Sequence, residues 1–572
     1  MPPGLLRAGV SVRLPTPSTI KQIEQVPRQA VGPNLLVFRD DRREVSGPTL
    51  KAEALDSIRS LDCASSESLV GALLRAGELE CAVADTGSVP ARPFEAVTSS
   101  LAEALLNPGP HVDLQRLCAV VGEAAVPDHP SLSAPEGFAY YALHPLAFAD
   151  VFERLSLPRR VVVVGIRSIG TTLSAVAAAA ARAKGCRTER MTARPTGHPY
   201  NRTTEFSCDQ LQLVRETASG AAFLVVDEGP GLSGSSFLSV AEALQKSGVP
   251  RERITLICSH EPDFETLCAD KASRRWCQFR WMAVSPAARK PEGTVEFIGG
   301  GEWRKRLFAD ESAWPGSWQG LERLKYLSGP DCAEPKFFKF QGLGHYGEQV
   351  IAREEKVAAA GFGPVPAAEA HGFASYPWIV GRPMSAADLS SEVIARLAEY
   401  CAFRGGAFST AASCSPVDNM AAHNAHELGI ECAIRLRMDR PVVCDGRMQP
   451  YEWLLTPQGR MLKTDSGSHG DDHFFPGPTD IGWDLAGAIV EWGMNPAQTR
   501  AFLTCYRSAS GDDPARRIGD FVTAYALFRC AWCHMAGHAL QSAEERSRLG
   551  QAAGLYREWA QLGGKASKNE AF

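Results

Sequence analysis

FLVVDEGPGLSGSS, residues 223–236, decides the fold of the middle of this chain. An apolar run leads directly into Asp227 and Glu228, and a turn rich in glycine and serine follows. Such a run predicts a strand buried on both faces, and SSFLSVAEALQKSG (235–248) predicts the next helix. Adjacent carboxylates can accept hydrogen bonds from two neighbouring ribose hydroxyls, and a Gly/Ser turn at a helix N-terminus can hold a phosphate. Ribose and its 5-phosphate are joined by one methylene, so the two subsites must adjoin, as they do here.

The same alternation of strand, loop and helix extends to both sides of this stretch. It includes RRVVVVGIRSIG (159–170), TTLSAVAAAAARAKG (171–185) and ITLICS (254–259). The pattern predicts an α/β domain over 141–288, with a parallel sheet covered by helices and ligands beyond the carboxyl ends of the strands. No Lys follows Gly170, which excludes a Walker-type P-loop. A Rossmann-like domain with a Gly-rich turn and no ribose chemistry is the alternative.

The order of strand, acid pair, Ser-Gly loop and helix resembles the signature of the type I phosphoribosyltransferases. The resemblance implies that Asp227 and Glu228 hold the ribose hydroxyls. It implies that the 5-phosphate is bound by Gly231, Ser233, Gly234, Ser235 and Ser236, and the diphosphate by Arg167, Ser168, Gly170 and Thr171. A mobile loop is expected at 193–206, from which Arg194 and Arg202 would stabilise the departing diphosphate. The gap between Glu228 and Ser233 is one residue longer than in the usual pattern.

The C-terminal region, 289–572, contains a second set of motifs. KFFKF (336–340) predicts a strand, and the Gly-rich turn after it leads into a helix with Glu348 and Glu354. YPWIVGRPM (376–384) and VVCDGRMQPYEWLL (442–455) follow, and then LKTDSG (462–467) and WDLAGA (483–488).

In order, these segments resemble the lobes of the aminoglycoside-phosphotransferase-like kinases, and the resemblance implies an α+β, two-lobed fold. Lys339 would pair with Glu348 or Glu354 at the nucleotide phosphates, Asp445 would position the acceptor hydroxyl, and Asp465 would bind Mg²⁺. Asp484 matches the structural Asp of the family. The family's His-Gly-Asp is absent before the loop, and Pro450 stands where a metal-binding Asn is expected, so Gln449 or Glu452 would have to replace that Asn.

Three further motifs have two interpretations each. Cys530, Cys533 and His534 have the spacing of c-type haem attachment, but they lie in an apolar segment that reads as a buried helix. GLGHYG (342–347) matches a dinucleotide-binding turn but lacks a suitable acid about 20 residues later. His469, Asp471, Asp472 and His473 form either a metal site or a solvated loop.

Composition limits the class of protein. The chain has 572 residues, of which 45% are hydrophobic and 22% charged, and a net charge of -5, which argues against broad nucleic-acid binding. Residues 1–140 form a region with helical spacing in 66–85 and 95–106 and no catalytic cluster. No apolar run reaches the length of a membrane span and no secretory signal is evident, so a cytoplasmic location without membrane contact is expected. The 16 cysteines are expected to be reduced thiols.

These observations predict a multidomain α/β enzyme with a helical N-terminal segment. The expected reaction is phosphoribosyl transfer between phosphoribosyl diphosphate and an unidentified base or small-molecule acceptor. Mg²⁺ is the expected cofactor, with ATP for phosphorylation by the kinase-like region. A homo-oligomer is compatible with the sequence. The alternative is a non-catalytic sensor of nucleotides or phosphoribosyl diphosphate, or a regulatory scaffold.

Overall fold

The computed structural model describes residues 34–38, 43–109, 112–231, 233–265, 267–284, 289–329, 334–411, 417–472, 474 and 477–566. These residues form two compact units. The first includes residues 42–138 and 143–289, and the second includes residues 31–41, 139–142 and 290–572. Within the described residues, no helix is both long enough and apolar enough to cross a bilayer.

The first unit begins with helices and continues as an α/β domain. Its helices of five residues or more are α1 (Gly47–Arg59), α2 (Ser66–Thr86), α3 (Arg92–Leu106), α4 (Leu114–Glu123), α5 (Leu146–Asp150), α6 (Ile169–Ala183), α7 (Cys208–Thr217), α8 (Ser235–Lys246) and α9 (Ala272–Trp276). Its strands are β1 (Arg43–Glu44), β2 (Ser131–Leu132), β3 (Arg160–Ile166), β4 (Arg187–Ala193), β5 (Thr196–His198), β6 (Asn201–Thr203), β7 (Ala222–Val226), β8 (Ile254–Cys258) and β9 (Arg280–Ala283).

The parallel sheet that the sequence predicts is present. Its order is β4-β3-β7-β8-β9, and all four neighbouring pairs are parallel. Residues Val161–Val164 of β3 are fully buried, as expected for a strand covered by helices on both faces. The alanine-rich α6 packs against α2 and α3, because its small side chains allow a close approach. The helices predicted over 66–85 and 95–106 are confirmed as α2 and α3.

The second unit combines an antiparallel sheet with a helical part, which confirms the α+β character expected of this region. The strands are β10 (Thr294–Phe297), β11 (Lys325–Ser328), β12 (Lys336–Phe340), β13 (Ala367–Ala368), β14 (Phe373–Pro377), β15 (Arg382–Pro383), β16 (Pro441–Val443), β17 (Trp453–Leu455), β18 (Met461–Lys463) and β19 (Pro478–Asp480). The helices of five residues or more are α10 (His345–Ala359), α11 (Ser391–Ala407), α12 (Val417–Leu428), α13 (Gly482–Glu491), α14 (Pro496–Ser510), α15 (Ile518–Ala539) and α16 (Ala543–Ala566).

The largest sheet of this unit has the order β10-β11-β12-β14-β13 and is antiparallel throughout. Strands β15, β17 and β18 form a small sheet, and β16 pairs with β19. Helix α15 is buried along most of its length. Cys530 and Cys533 both lie in the core on this helix, in agreement with the buried-helix interpretation of the Cys530–His534 segment.

Candidate functional sites

The first candidate site lies where the strand order of the parallel sheet reverses. Strands β3 and β7 are neighbours, while β4 lies outside β3 and β8 lies outside β7. The carboxyl ends of two such strands diverge into loops with a crevice between them. Gly170 at the start of α6 approaches β7 so closely that an added Cβ would lie 2.7 Å from the carbonyl oxygen of Val226. The two predicted loops are therefore in contact.

Asp227 and Glu228 follow β7 and are half-buried. Burial raises the pKa of Asp227 to about 7, although the backbone N–H of Glu228 and the charge of Arg194 oppose this rise. Burial, followed by the like charges of Glu136 and Asp227, raises the pKa of Glu228 well above its usual value. The N–H of Gly137 donates to Glu228 Oε2 at 2.9 Å. A cation or a pair of hydroxyls placed here would compensate carboxylates that the protein itself solvates poorly.

The loop after the acid pair aims hydroxyl groups at an acceptor oxygen. The hydroxyls of Ser233 and Ser235 both donate to the carbonyl oxygen of Pro199, at 2.8 and 2.5 Å. Pro199 lies between β5 and β6, in the segment predicted as a mobile loop. Gly234 caps α8 with φ +69°, a conformation that favours glycine. Gly231 also has a positive φ, Ser236 lies in the first turn of α8, and Leu232 is outside the described residues.

The loop after β3 holds a strained residue. Ser168 has φ +109°, a region that non-glycine residues rarely adopt and that is enriched at ligand-binding sites. Thr171 is buried in the first turn of α6.

The arginines predicted for the diphosphate have protein partners. Arg194 donates from two nitrogens to the carboxylate of Asp85, on α2, and also to the carbonyl oxygen of Arg167 at 2.6 Å. Arg167 pairs with the same carboxylate at 3.2 Å. Arg202 is half-buried, with one guanidinium nitrogen 3.5 Å from the carbonyl oxygen of Pro195. In this conformation both arginines share the single carboxylate of Asp85, and a diphosphate would have to compete with it. Their role at a diphosphate stays a prediction.

The second candidate site is a cavity of about 140 Å³ in the second unit. Lys339 on β12 lies at its edge, is 2% exposed, and donates to Asp465 and, at 3.0 Å, to the hydroxyl of Ser468. Burial lowers the pKa of Lys339 although Asp465 opposes this. Burial works against ionisation of Asp465 as well, but His469 and Lys339 hold its pKa well below the usual value. The cavity thus has a cation and a carboxylate held side by side.

Of the two glutamates considered for Lys339, Glu354 is the buried one. It lies on α10, lines the cavity, and accepts hydrogen bonds from Gln341 and from the Tyr376 hydroxyl. Burial raises its pKa to about 7 although the charge of Lys339 lowers it. Glu348 is exposed in the first turn of α10. Glu348 is therefore replaced by Glu354 as the neighbour of Lys339.

Asp445 does not reach this cavity. Its carboxylate is 0% exposed and accepts from the Tyr400 hydroxyl, with Lys463 Nζ at 3.5 Å and Arg404 at 3.9 Å. In this conformation the carboxylate of Asp445 lies in the core beside two buried cations, and its predicted role at an acceptor hydroxyl stays a prediction. Asp484 accepts the N–H groups of Asp445 and Gly446 at 2.8 and 3.0 Å, so it anchors this loop.

The loop after β16 places two other charged residues, Arg447 and Glu452, in the lining of a cavity. Glu452 lines the cavity of Lys339, and Arg447 lines a second cavity that adjoins it. Gln449, the other candidate for the missing Asn, is 1% exposed and donates to Glu491. The two cavities share the residues Trp303, Lys325, Lys339, Tyr451, Glu452 and Asp465.

The second cavity combines arginines with aromatic rings. Besides the shared residues, its lining includes Tyr140, Trp318, Arg323, Arg447, His469, Asp472, Phe474, Arg529 and Trp532. His469 Nε2 lies 3.3 Å from Asp465, and Asp472 accepts the N–H of Phe474. Two members of the predicted His/Asp cluster therefore face this cavity. His473 and the side chain of Asp471 are outside the described residues.

Sequence reasoning missed Asp85 and Arg447. Asp85 is the penultimate residue of its helix, and no local motif links it to Arg194, 109 positions away. Arg447 follows Asp445, the acid of the expected type, by two residues, and no motif marks its own charge. The signal for Glu452 was present, since it directly precedes the apolar strand β17.

No protein-family model and no curated protein matches this chain. Part of the chain is similar to solved small-molecule kinases. A choline kinase of Streptococcus pneumoniae is 13% identical, with 41% of this chain and 89% of that one covered and a TM-score of 0.30. A spectinomycin phosphotransferase in complex with ADP and spectinomycin is 13% identical, with 42% of this chain and 88% of that one covered and a TM-score of 0.28. An aminoglycoside phosphotransferase of Alicyclobacillus acidocaldarius is 11% identical, with 49% of this chain and 94% of that one covered and a TM-score of 0.31. These likenesses are too distant to assign a role to any residue.

Proposed function

We propose that the first unit binds phosphoribosyl diphosphate with Mg²⁺ and transfers its phosphoribosyl group to a small-molecule acceptor. The observation that carries this proposal is the contact of the two loops at the reversal of strand order. One loop carries Asp227 and Glu228 and, a few residues later, the hydroxyls of Ser233 and Ser235, which hydrogen-bond to each other at 2.9 Å. The other loop brings Gly170 against Asp227. A vicinal diol, its 5-phosphate and a diphosphate can then be bound at one crevice.

The mechanism assigns separate tasks to these groups. The carboxylates accept the ribose hydroxyls and hold the ring as positive charge develops at C1. The Ser233 and Ser235 hydroxyls, which now donate to Pro199, would donate to the phosphate instead. If Mg²⁺ is bound here, the carboxylates of Asp227 and Glu228 are the groups that would hold it, and it would supply positive charge to the departing diphosphate. Arg194 would contribute only if its guanidinium left Asp85 and bound the diphosphate instead.

Diphosphate release tests the proposal. The full chain is incubated with phosphoribosyl diphosphate, Mg²⁺ and pooled bases and amides. Asp227→Asn combined with Glu228→Gln should abolish release, while Glu216→Gln, an exposed acid of the same unit, should retain it. Binding without release in the native chain would favour the sensor. The absence of both would refute the proposal.

A second function is favoured by the cavity at Lys339. We propose that it binds a nucleoside triphosphate, with Lys339 at the phosphates and Asp465 and Glu452 at Mg²⁺. A strand Lys, a buried helix Glu and a metal-binding Asp are the parts that kinases use for this purpose, and Lys339, Glu354 and Asp465 line one cavity.

The matched variants for this site lie on a single strand. Lys339→Met should weaken ATP binding about 10-fold or more, whereas Lys336→Met, on the same strand but exposed, should leave it unchanged. Calorimetric titration with ATP and Mg²⁺ measures both. Equal affinities of the two variants would refute the assignment of Lys339.

A further inference from the structure

Arg447 occupies a fixed place in the loop after β16. Asp484 holds the backbone of the two residues before it, and Met448 after it is fully buried. The N–H of Arg447 also donates to Asp445 Oδ1 at 3.2 Å. With its backbone held on both sides, Arg447 presents its side chain to the second cavity. The loop therefore offers this cavity a cation, while its own acid, Asp445, is turned into the core.

The guanidinium of Arg447 differs from the neighbouring cations in having no hydrogen-bond or ion-pair partner among the described residues. Lys325 pairs with Glu322 at 3.6 Å, Lys339 pairs with Asp465, and Arg529 lies 3.3 Å from Glu491. Arg447 contacts the Trp532 ring, with 5.9 Å between the guanidinium carbon and the ring centroid. Burial opposes the charge of Arg447, while the charges of Glu452 and Asp472, neither of them within ion-pair distance, raise its pKa. A half-buried guanidinium without a direct anionic partner is costly to maintain. This arrangement favours a ligand that brings a negative charge.

The walls of the same cavity are aromatic. Tyr140, Trp303, Trp318, Tyr451, Phe474 and Trp532 line it. Rings of this kind suit either the flat face of a ligand or an ammonium group held by cation–π contacts. The carboxylates in the lining already have partners, as Glu322 has Lys325 and Asp465 has Lys339, so they offer little to an ammonium group. Arg447 has no direct anionic partner among the described residues, so the lining suits a flat body with an anionic substituent.

We propose that the second cavity binds an acceptor with a flat body and an ionised phosphate or carboxylate, and that Arg447 pairs with this group beside the triphosphate. The proposal rests on nucleotide binding in the adjoining cavity. An ionised oxygen explains why the loop can do without a base. A hydroxyl acceptor needs a carboxylate to take its proton, and Asp445 is enclosed by Lys463, Arg404 and Tyr400. The four acids that line this cavity are engaged as well. Asp472 accepts the N–H of Phe474, Glu452 lies 3.6 Å from Lys463, Asp465 pairs with Lys339, and Glu322 accepts from the Ser317 hydroxyl.

The transfer step balances without a proton. The acceptor oxygen forms a bond to the terminal phosphorus of the nucleoside triphosphate. The bond from that phosphorus to the β,γ-bridging oxygen breaks, and the nucleoside diphosphate leaves with the electron pair. A phosphate monoester becomes a diphosphate, and a carboxylate becomes an acyl phosphate. Arg447 offsets the repulsion between the two anions as they approach.

Binding of matched probe pairs tests the anion assignment in the full chain. With ADP and Mg²⁺ filling the nucleotide cavity, uridine 5′-monophosphate is compared with uridine, and benzoate with benzyl alcohol. The native protein should bind at least one anion about 10-fold or more tightly than its neutral partner, and Arg447→Met should remove the difference. Arg460→Met, an exposed arginine of the same unit, should retain it, and Arg447→Lys should restore part of it. A thermal melt of each variant establishes that it folds.

Each outcome has a separate meaning. Equal binding of an anion by the native protein and Arg447→Met, no binding of either anion, or preference for the neutral probes would overturn the anion site. Incubation with ATP then distinguishes a phosphate acceptor from a carboxylate acceptor. Uridine 5′-monophosphate would yield uridine diphosphate together with ADP, whereas a carboxylate would yield an acyl phosphate that hydroxylamine traps. If ATP itself does not bind, the nucleotide site and the transfer step fail, whereas Arg447-dependent anion binding is decided by the first experiment alone.

Discussion

Gly170 and Asp227 lie so close that a Cβ on Gly170 would be 3.3 Å from Asp227 Oδ1 and 2.7 Å from the carbonyl oxygen of Val226. At this position there is therefore no room between the two loops for a side chain larger than that of glycine. This contact connects the site of the acid pair to the strained loop of Ser168, and it makes the geometry of one loop depend on the other.

Gly170→Ala should push these loops apart. We expect a loss of about 1–3 kcal/mol in the free energy of unfolding, as for other additions to a packed interior. We also expect about 10-fold weaker binding of phosphoribosyl diphosphate. Urea titration and calorimetry measure the two quantities. Gly220→Ala is the control, because a Cβ there meets no atom within 4 Å. Unchanged binding by Gly170→Ala would show that the two loops do not act together.

The pKa of Asp227 predicts a pH dependence of stability. Because this pKa is raised to about 7 in the folded protein from 3.8, the folded state holds a proton that the unfolded state has lost over this interval. Stability therefore falls as the pH rises from about 4 to about 7. Asp227→Asn lacks this loss. The free energy of unfolding of Asp227→Asn minus that of the native chain should therefore be about 1–2 kcal/mol larger at pH 8 than at pH 5, allowing for solvent screening.

Urea titrations at pH 5 and pH 8 measure this difference. Mg²⁺ should stabilise the native chain more at pH 8, where Asp227 is ionised, than at pH 5. A difference of the opposite sign, or none, would mean that Asp227 is ionised at the lower pH and that its surroundings are not as the structure describes them.

The Ser233 and Ser235 hydroxyls should be exchanged between Pro199 and a phosphate. Ser233→Ala combined with Ser235→Ala removes two donors, so we expect about 10- to 100-fold weaker binding of phosphoribosyl diphosphate. It should also increase amide hydrogen exchange over 196–203, because the hairpin loses its anchor. Ser219→Ala, an exposed serine of the same unit, should change neither. Tight binding by the double variant would place the phosphate elsewhere.

Asp445 should matter to stability more than to nucleotide binding. Asp445→Asn leaves Lys463 and Arg404 without a charge partner in the core. Breaking a buried pair from one side costs about 3–5 kcal/mol, and because Asn retains part of the hydrogen bonding we expect about 3 kcal/mol. ATP affinity, measured on the folded variant by calorimetry, should stay within about 2-fold. A stable variant with lost phosphotransfer would restore Asp445 to the catalytic site.

The parallel sheet could be predicted because its signal is local. The apolar run Val161–Val164 and the one before Asp227 indicate buried strands, and the loops with the candidate site residues come directly after these strands. The candidate sites could be predicted only where a single segment supplies the groups, as with Asp227 and Ser233. Asp85 pairs with Arg194 across 109 positions, and no periodicity encodes that contact. For Asp445 and Arg447, two residues apart, the sequence gives both charges but not which one faces the cavity. Asp484 and the buried cations decide that through tertiary contacts.

Glu452 should bind the Mg²⁺ that accompanies the nucleotide. It lines the cavity together with Asp465, and the charge of Asp465 contributes to the raised pKa of Glu452 after burial, which is the main cause. A divalent cation between the two carboxylates would relieve this repulsion. Glu452→Gln should weaken binding of ATP with Mg²⁺ about 10-fold or more and leave binding without Mg²⁺ unchanged. Glu348→Gln, the exposed glutamate of α10, is the matched control and should bind as the native chain does. If Glu348→Gln were the variant to lose Mg²⁺-dependent binding, the metal would lie away from Glu452 and the cavity would need a different orientation of nucleotide.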